Sequence, residues 1–157
     1  MSSQSETTIA VRRADAADRA AAVELISPGS ARGRASQTLL RADQGILWVA
    51  VEHSAQGEHL VGLLLATAQV DAEAEEVSGY IHELLVHPAA RRRGVAMSLL
   101  EAAERYFLDE CHFNSVLVIT SFDNDAAIQL YRSRGYALSQ ARLAKRRVGR
   151  NGGGGGA

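Results

Sequence analysis

Val86-His87-Pro88-Ala89-Ala90-Arg91-Arg92-Arg93-Gly94-Val95-Ala96 is the stretch on which the reading of this chain turns. An apolar run from Tyr80 to Val86 leads into it, Pro88 stops that run, and an Arg-x-x-Gly-x-Ala turn opens a long amphipathic segment. A strand–turn–helix join of this kind gathers positive potential at one point. The first four N–H groups of a helix have no partners inside it and lie at the positive end of its dipole. Gly94 admits a ligand where a Cβ would stand in the way, and Ala96 keeps the next approach small. Arg91, Arg92 and Arg93 add charge around the same point. The pattern predicts an anion site with a phosphate-bearing ligand as its occupant; by itself it also fits an ordinary join with solvated arginines.

Downstream, Val95, Leu99, Leu100, Ala103, Tyr106 and Phe107 recur at three- and four-residue steps, which predicts a core-facing helix from about Gly94 to Glu110. Ser115 to Ser121 is a continuous β-branched run, the pattern of a strand covered on both faces. With Val77–Val86 as the strand before the helix, the three elements form a parallel crossover, because a helix lies between the strands. Asp123–Tyr136 adds a further helix, Asp125 to Arg134, with Asn124 at its mouth, Gly135 as terminator and a last strand starting at Tyr136.

Upstream, Thr8–Arg13 is a short strand, and Asp15 caps an Ala-rich helix from Ala16 to Ile26. Ser27-Pro28-Gly29-Ser30 breaks it, and a weaker helix covers Gly33 to Ala42. Gly45–Glu52 and Leu60–Val70 read as an antiparallel hairpin around a polar turn, His53–His59, and Asp71–Glu76 is an acidic loop. The order β-α-α-β-β-β-α-β-α-β gives an α/β fold of the α+β type: a mixed, mostly antiparallel sheet flanked by helices.

The bulk composition sets limits. The 157 residues suit one domain with a sizeable core, with 46% hydrophobic and 22% charged residues. A net charge of −1 argues against a nucleic-acid or membrane-surface partner. No apolar run approaches the roughly 20 residues that span a bilayer, and Met1–Thr8 lacks the order of a secretion signal. The expected location is cytoplasmic. One cysteine, Cys111, forbids an internal disulfide and a cysteine-based zinc site, and it reads as a small buried filler. His53, His59, His87 and His112 show no metal-ligand spacing, so no metal is expected. Residues 1–7 and the Gly-rich 149–157 are expected to be disordered, leaving a domain from 8 to 148.

Two segments, Leu84–Leu100 and Asn124–Tyr136 (Asn-x-x-Ala-x-x-x-Tyr-x-x-x-Gly-Tyr), stand at the right distance and in the right order of elements to resemble the GNAT superfamily of acyl-CoA-dependent N-acetyltransferases. The resemblance runs from about Thr8 to Val148. It implies a single-domain GNAT fold whose parallel strand pair splays to hold acetyl-CoA, with helices on both faces. It also implies transfer of an acetyl group from acetyl-CoA, as co-substrate, to a primary amine. The N–H groups of Arg91, Arg92, Arg93, Gly94, Val95 and Ala96 would hold the pyrophosphate, with Arg91 and Arg92 supplying charge. The edge of Leu84, Leu85 and Val86 would bind the pantetheine as an added strand, with Asn124 and Ala127 in the second cofactor segment. Tyr131 would protonate the departing thiolate. A backbone N–H near Leu85 or Val86 would meet the oxyanion.

The base lies in several relatives four residues before the last apolar residue of the strand, which here is His82; Glu83 is its rival. Alternating side chains let only one of them face the cleft unless a bulge intervenes. His82 has the better intrinsic pKa, while burial could raise that of Glu83. A water chain without a dedicated base is the third option. Relatives with a glutamate at the end of the next strand have Ile119 here. The acceptor, a small-molecule or peptide amine, would lie between the Ala16–Ala42 region and the C-terminal strand. Tyr136–Val148 is short for the two strands that relatives carry there, so the pocket is either more open or completed by a second subunit, as in a homodimer. The acidic loop could attract a basic acceptor or be a solvated turn. Two other functions compete: a non-catalytic acyl-CoA sensor, and an acetyltransferase acting on tRNA-bound amino acids through the basic Arg142–Arg150 tail.

Overall fold

The computed structural model describes residues 7–26, 29–121 and 123–138. The expectations for the two termini, the basic tail and most of the last strand lie outside these residues; Tyr136–Leu138 are not in a strand. The chain divides into two compact units, one running to Ser121 and the other starting at Phe122.

The first unit is built on a sheet of β1 (Thr8–Arg13), β2 (Ile46–Ser54), β3 (Gly57–Asp71), β4 (Glu76–Val86) and β5 (Ser115–Val118), paired in chain order. The first three pairings are antiparallel and β4–β5 is parallel, as the crossover predicts. The hairpin between β2 and β3 closes tighter than its polarity suggests, at Ala55–Gln56. This end of the sheet is solvated, so His53 and Glu58 sit opposite one another, Nδ1 3.1 Å from Oε1, and polarity there marks exposure, not a turn.

Helices α1 (Ala16–Leu25) and α2 (Ala31–Arg41) cover one face. Asp15 caps α1 in a reciprocal box with Asp18. Ala22, Ile26 and Leu40 pack with Leu47, Val49, Val51, Leu63 and Leu65. Gln37, almost fully buried, donates from Nε2 to the carbonyls of Val23 (3.0 Å) and Ile26 (2.8 Å), the open end of α1. Gln37→Leu strands those carbonyls and is expected to cost about 2 kcal/mol, measurable by urea unfolding.

Helix α3 (Val95–Glu104) covers the opposite face, where Val95 and Leu99 lie over Gly62. It does not run as an α-helix to Glu110: Arg105–Glu110 widen into a π-helical turn. The wider turn lets two adjacent aromatics, Tyr106 and Phe107, reach Trp48, at ring separations of 5.6 and 5.9 Å. Cys111 follows that turn and is half-buried, less enclosed than expected. The second unit contains α4 (Asp125–Ser133), ended by Gly135 at φ +87°.

Candidate active site

The parallel ladder is short. Ser78, Gly79, Tyr80 and Ile81 pair with Ser115, Val116, Leu117 and Val118, and there it stops. Ser115–Ser121 is therefore not one covered strand: the paired residues are half-buried and Ile119 is exposed. On its other side β4 stays paired with β3 up to Val86, opposite Gly62. Among the described residues the β5 side of Glu83, Leu84, Leu85 and Val86 carries no ladder, which makes it an open edge within the sheet.

That edge runs into the turn from His87 to Gly94. Pro88–Ala90 form a single 3-10 turn, begun by the His87 Nδ1 accepting from the Ala89 N–H (3.1 Å). Arg92 (φ +62°) and Gly94 (φ +73°) both take the left-handed conformation. Among the described residues, and apart from its chain neighbours, nothing lies within 4 Å of the place a Cβ would occupy on Gly94, so glycine serves the backbone angle there and leaves the space outside it open. Gly94 begins α3 with no side-chain cap, leaving the first N–H groups of the helix directed outward. The three arginines divide. Arg93 is held by Glu52 of β2 (2.6 Å), whereas among the described residues no carboxylate pairs with Arg91 or Arg92. Val95 is buried and Ala96 half-buried, so these two offer their N–H groups and little side chain.

His82 and Glu83 are not alternatives of orientation. Leu65 pairs with Glu83 and Ala66 with Ile81, so His82 is an extra residue, a β-bulge. Tyr80 lies opposite Thr67 and Leu85 opposite Leu63, on the face that α1 and α2 cover. The His82 ring packs edge-on against Tyr80 (4.6 Å), and its Nε2 is 2.6 Å from Thr67 Oγ1. The bulge thus turns His82 and Glu83 to the same side of the sheet. Burial lowers the pKa of His82 below the ordinary imidazole value of 6.5.

Helix α2 meets β4 here. Ser36 Oγ, buried, donates to Glu83 Oε2 (3.1 Å), and one turn earlier Arg32 donates to the Ile119 carbonyl (3.1 Å) just past β5. Thr67, Ser36 and Arg32 were not legible as site residues in the sequence. No motif marks them, and only the bulge and the packing of α2 bring them to His82 and Glu83. The acidic loop is remote: it lies seven residues down β4, about 20 Å from Glu83. Asp71 Oδ1 accepts there from the N–H groups of Glu73 and Ala74 (both 3.1 Å), so the solvated turn is the reading that holds.

In the second unit, Asn124 caps α4, its Oδ1 accepting from the Ala127 N–H (3.2 Å). Tyr131 is buried on α4, its ring 5.4 Å from that of Tyr136.

Residues 17–136 match the acetyltransferase (GNAT) family. The chain belongs to that family. Among solved structures, the GNAT chain is similar to the aminoglycoside N-acetyltransferase AAC(6')-Iy in complex with CoA, at 18% identity and a TM-score of 0.73, over 92% of this chain and 97% of that one. It is also similar to a probable acetyltransferase (19% identity, TM-score 0.71, 89% and 98% covered). An aminoglycoside acetyltransferase from an uncultured soil metagenomic sample matches at 24% identity and a TM-score of 0.65, over 90% and 99%. At these identities the likeness is one of fold. No curated protein matches the sequence.

The expected GNAT architecture, a mixed sheet with a parallel pair that opens and helices on both faces, is the architecture observed. No helix among the described residues is long and apolar enough to cross a membrane. A groove of about 320 Å³ between β1 and α3, lined by Ile9, Val11, Arg93, Val95, Ser98 and Ala102 among others, lies on the sheet face opposite His82 and Glu83, beside the start of α3.

Proposed function

We propose that this acetyltransferase moves the acetyl group of acetyl-CoA directly to a primary amine of a small-molecule or peptide acceptor. One observation carries the reading: the edge of β4 that opens beyond Ile81 leads without interruption into the left-handed turn at Arg92 and Gly94 and the uncapped start of α3. An extended pantetheine needs unpaired strand N–H and C=O groups, and a pyrophosphate needs convergent N–H groups with positive charge. Leu84–Val86 supply the first, the Val86 carbonyl already accepting from Arg91 Nε (3.4 Å); the N–H groups of Arg92–Ala96 supply the second, since the Arg91 N–H donates to the Pro88 carbonyl (3.4 Å), with Arg91 and Arg92 as the charges. Asn124 adds its amide to the pantetheine. Several similar structures are aminoglycoside acetyltransferases, which supports a small-molecule amine as the acceptor class.

In the reaction the neutral amine nitrogen forms a bond to the thioester carbonyl carbon, and the carbon–sulfur bond then breaks. His82 takes the proton that the amine gives up, and the Tyr131 hydroxyl protonates the leaving thiolate. Two features favour His82 over Glu83. Its lowered pKa keeps it neutral at pH 7, and Glu83 already accepts a hydrogen bond from Ser36. Thr67 positions the ring. The direction of the Nε2–Oγ1 hydrogen bond follows the tautomer: in the form protonated at Nε2, which donates to Thr67, Nδ1 is the nitrogen that accepts.

The sign of the pH dependence follows. A base must be unprotonated, and burial lowers the pKa of His82, so the acid limb of kcat/KM is expected to lie below pH 6.5 and to vanish in His82→Gln. The same shift acts on stability. The unfolded state binds the proton more readily, so His82 contributes its full share above pH 6.5, and that share is lost as the pH falls through the folded pKa. Thermal unfolding of wild type and His82→Gln between pH 5 and pH 8 checks this limb.

Release of free thiol from acetyl-CoA, measured across a panel of amines, tests the function. Release that requires one class of amine supports acetyl transfer. Tight binding of acetyl-CoA without release from any amine would make the protein an acyl-CoA sensor, and absence of binding would end the reading.

A further inference from the structure

The acceptor side of the site carries a charge that the transfer chemistry does not use. Arg32 is exposed on α2, at the point where β5 leaves β4, and its N–H donates to the Ile119 carbonyl (3.1 Å). That bond fixes the guanidinium over the opening without neutralising it. Among the described residues no carboxylate lies within ion-pair distance of Arg32, whereas elsewhere in the first unit Arg12 is matched by Asp18 and Arg19 by Asp43. Arg32 precedes Ser36 by four residues, so the two stand on one face of α2, about 6 Å apart along its axis. Ser36 is the residue that holds Glu83. Helix α2 therefore sets a cation one turn away from the carboxylate and imidazole that face the amine. The helix has Arg32, Arg34 and Arg41 and no acid.

We propose that the acceptor carries a carboxylate a few bonds from the amine that is acetylated, and that Arg32 receives it. The inference rests on the acetyltransferase reading and adds the substrate class to it. Guanidinium presents N–H groups in a fork that matches a carboxylate, and one bond to a carbonyl leaves the others to donate. The ammonium of the incoming acceptor meets Glu83 and His82 while its acid meets Arg32, which fixes the amine's direction before it loses its proton. A polycationic amine finds the reverse: one carboxylate for several positive charges, and a cation at the entrance.

The test is a matched acceptor series with acetyl-CoA: glycine, β-alanine, γ-aminobutyrate and an acidic dipeptide, each beside its carboxamide, together with spermidine. For at least one acid, kcat/KM is expected to exceed that of its carboxamide by about tenfold or more, mostly through KM, with spermidine poor. Arg32→Gln is expected to collapse the acid-over-amide ratio, and Arg32→Lys to retain part of it. Acetylation of amides as readily as acids, or spermidine as the best acceptor, would overturn the proposal while leaving acetyl transfer intact. These comparisons are made in the wild type and do not depend on the variants folding. Bound acetyl-CoA with no transfer to any member would overturn the transferase reading, and this proposal with it.

Discussion

Tyr131→Phe is expected to lower amine-dependent thiol release about a hundredfold while acetyl-CoA binds as tightly as before. A thiolate is a modest leaving group, and a phenol placed to protonate it acts only as the carbon–sulfur bond breaks, so the loss falls on kcat. The substitution is mild toward the fold: phenylalanine keeps the ring that lies 5.4 Å from Tyr136. A tyrosine that served packing alone would behave differently, with a lowered Tm and kcat unchanged. Steady-state kinetics with binding calorimetry on the same preparation separates the two. A variant that turns over as the wild type does would remove Tyr131 from the chemistry.

Gly79→Ala is expected to be the most damaging single methyl in the first unit. A Cβ at this position would lie 2.3 and 2.4 Å from Cδ2 and Cγ of Phe107. That ring cannot swing away, because it is fully buried between Trp48 (5.9 Å), Tyr106 (5.3 Å) and a stacked Phe113 (5.6 Å). Either the π-helical turn or β4 has to move, at a cost of about 3 kcal/mol, the upper part of the overpacking range. For a chain of this length that corresponds to a Tm lower by about 10 °C. The same methyl in a Phe107→Leu background is expected to cost less, and a double-mutant cycle by thermal unfolding reads the coupling. Equal costs in both backgrounds would show that the contact is not the cause.

The legible parts of the sequence were those in which chemistry and local structure coincide. Asp15 and the alanines after it announce α1; Pro88 and Gly94 mark the turn into α3; Asn124 and Gly135 bracket α4. Each is a cap or a backbone angle that few residues satisfy, so one letter carries the information. The site needed more than that. Period-two alternation made His82 and Glu83 exclusive unless a bulge intervened, and it is the unpaired residue between Ile81 and Glu83 that turns both to one face. A bulge is set by the registry of two strands, here β3 against β4, and leaves no mark in either strand alone. Thr67, Ser36 and Arg32 come from elements distant in sequence for the same reason. The helix after Gly94 shows a related limit: its apolar stripe is genuine, but where the stripe meets Trp48 and Gly79 the crowding of aromatics widens the last turn.

Amide hydrogen exchange with and without acetyl-CoA reads out whether the β4 edge and the turn into α3 hold the cofactor. The open edge of β4 and the turn into α3 hold exposed N–H groups that a bound pantetheine and pyrophosphate would cover. Slowed exchange confined to Glu83–Val86, to Arg92–Ala96 and to the start of α4 is the predicted result. Acetyl-CoA that leaves those amides unprotected, or protects β1 and the Ser98–Ala102 turn of α3 in their place, would contradict the account.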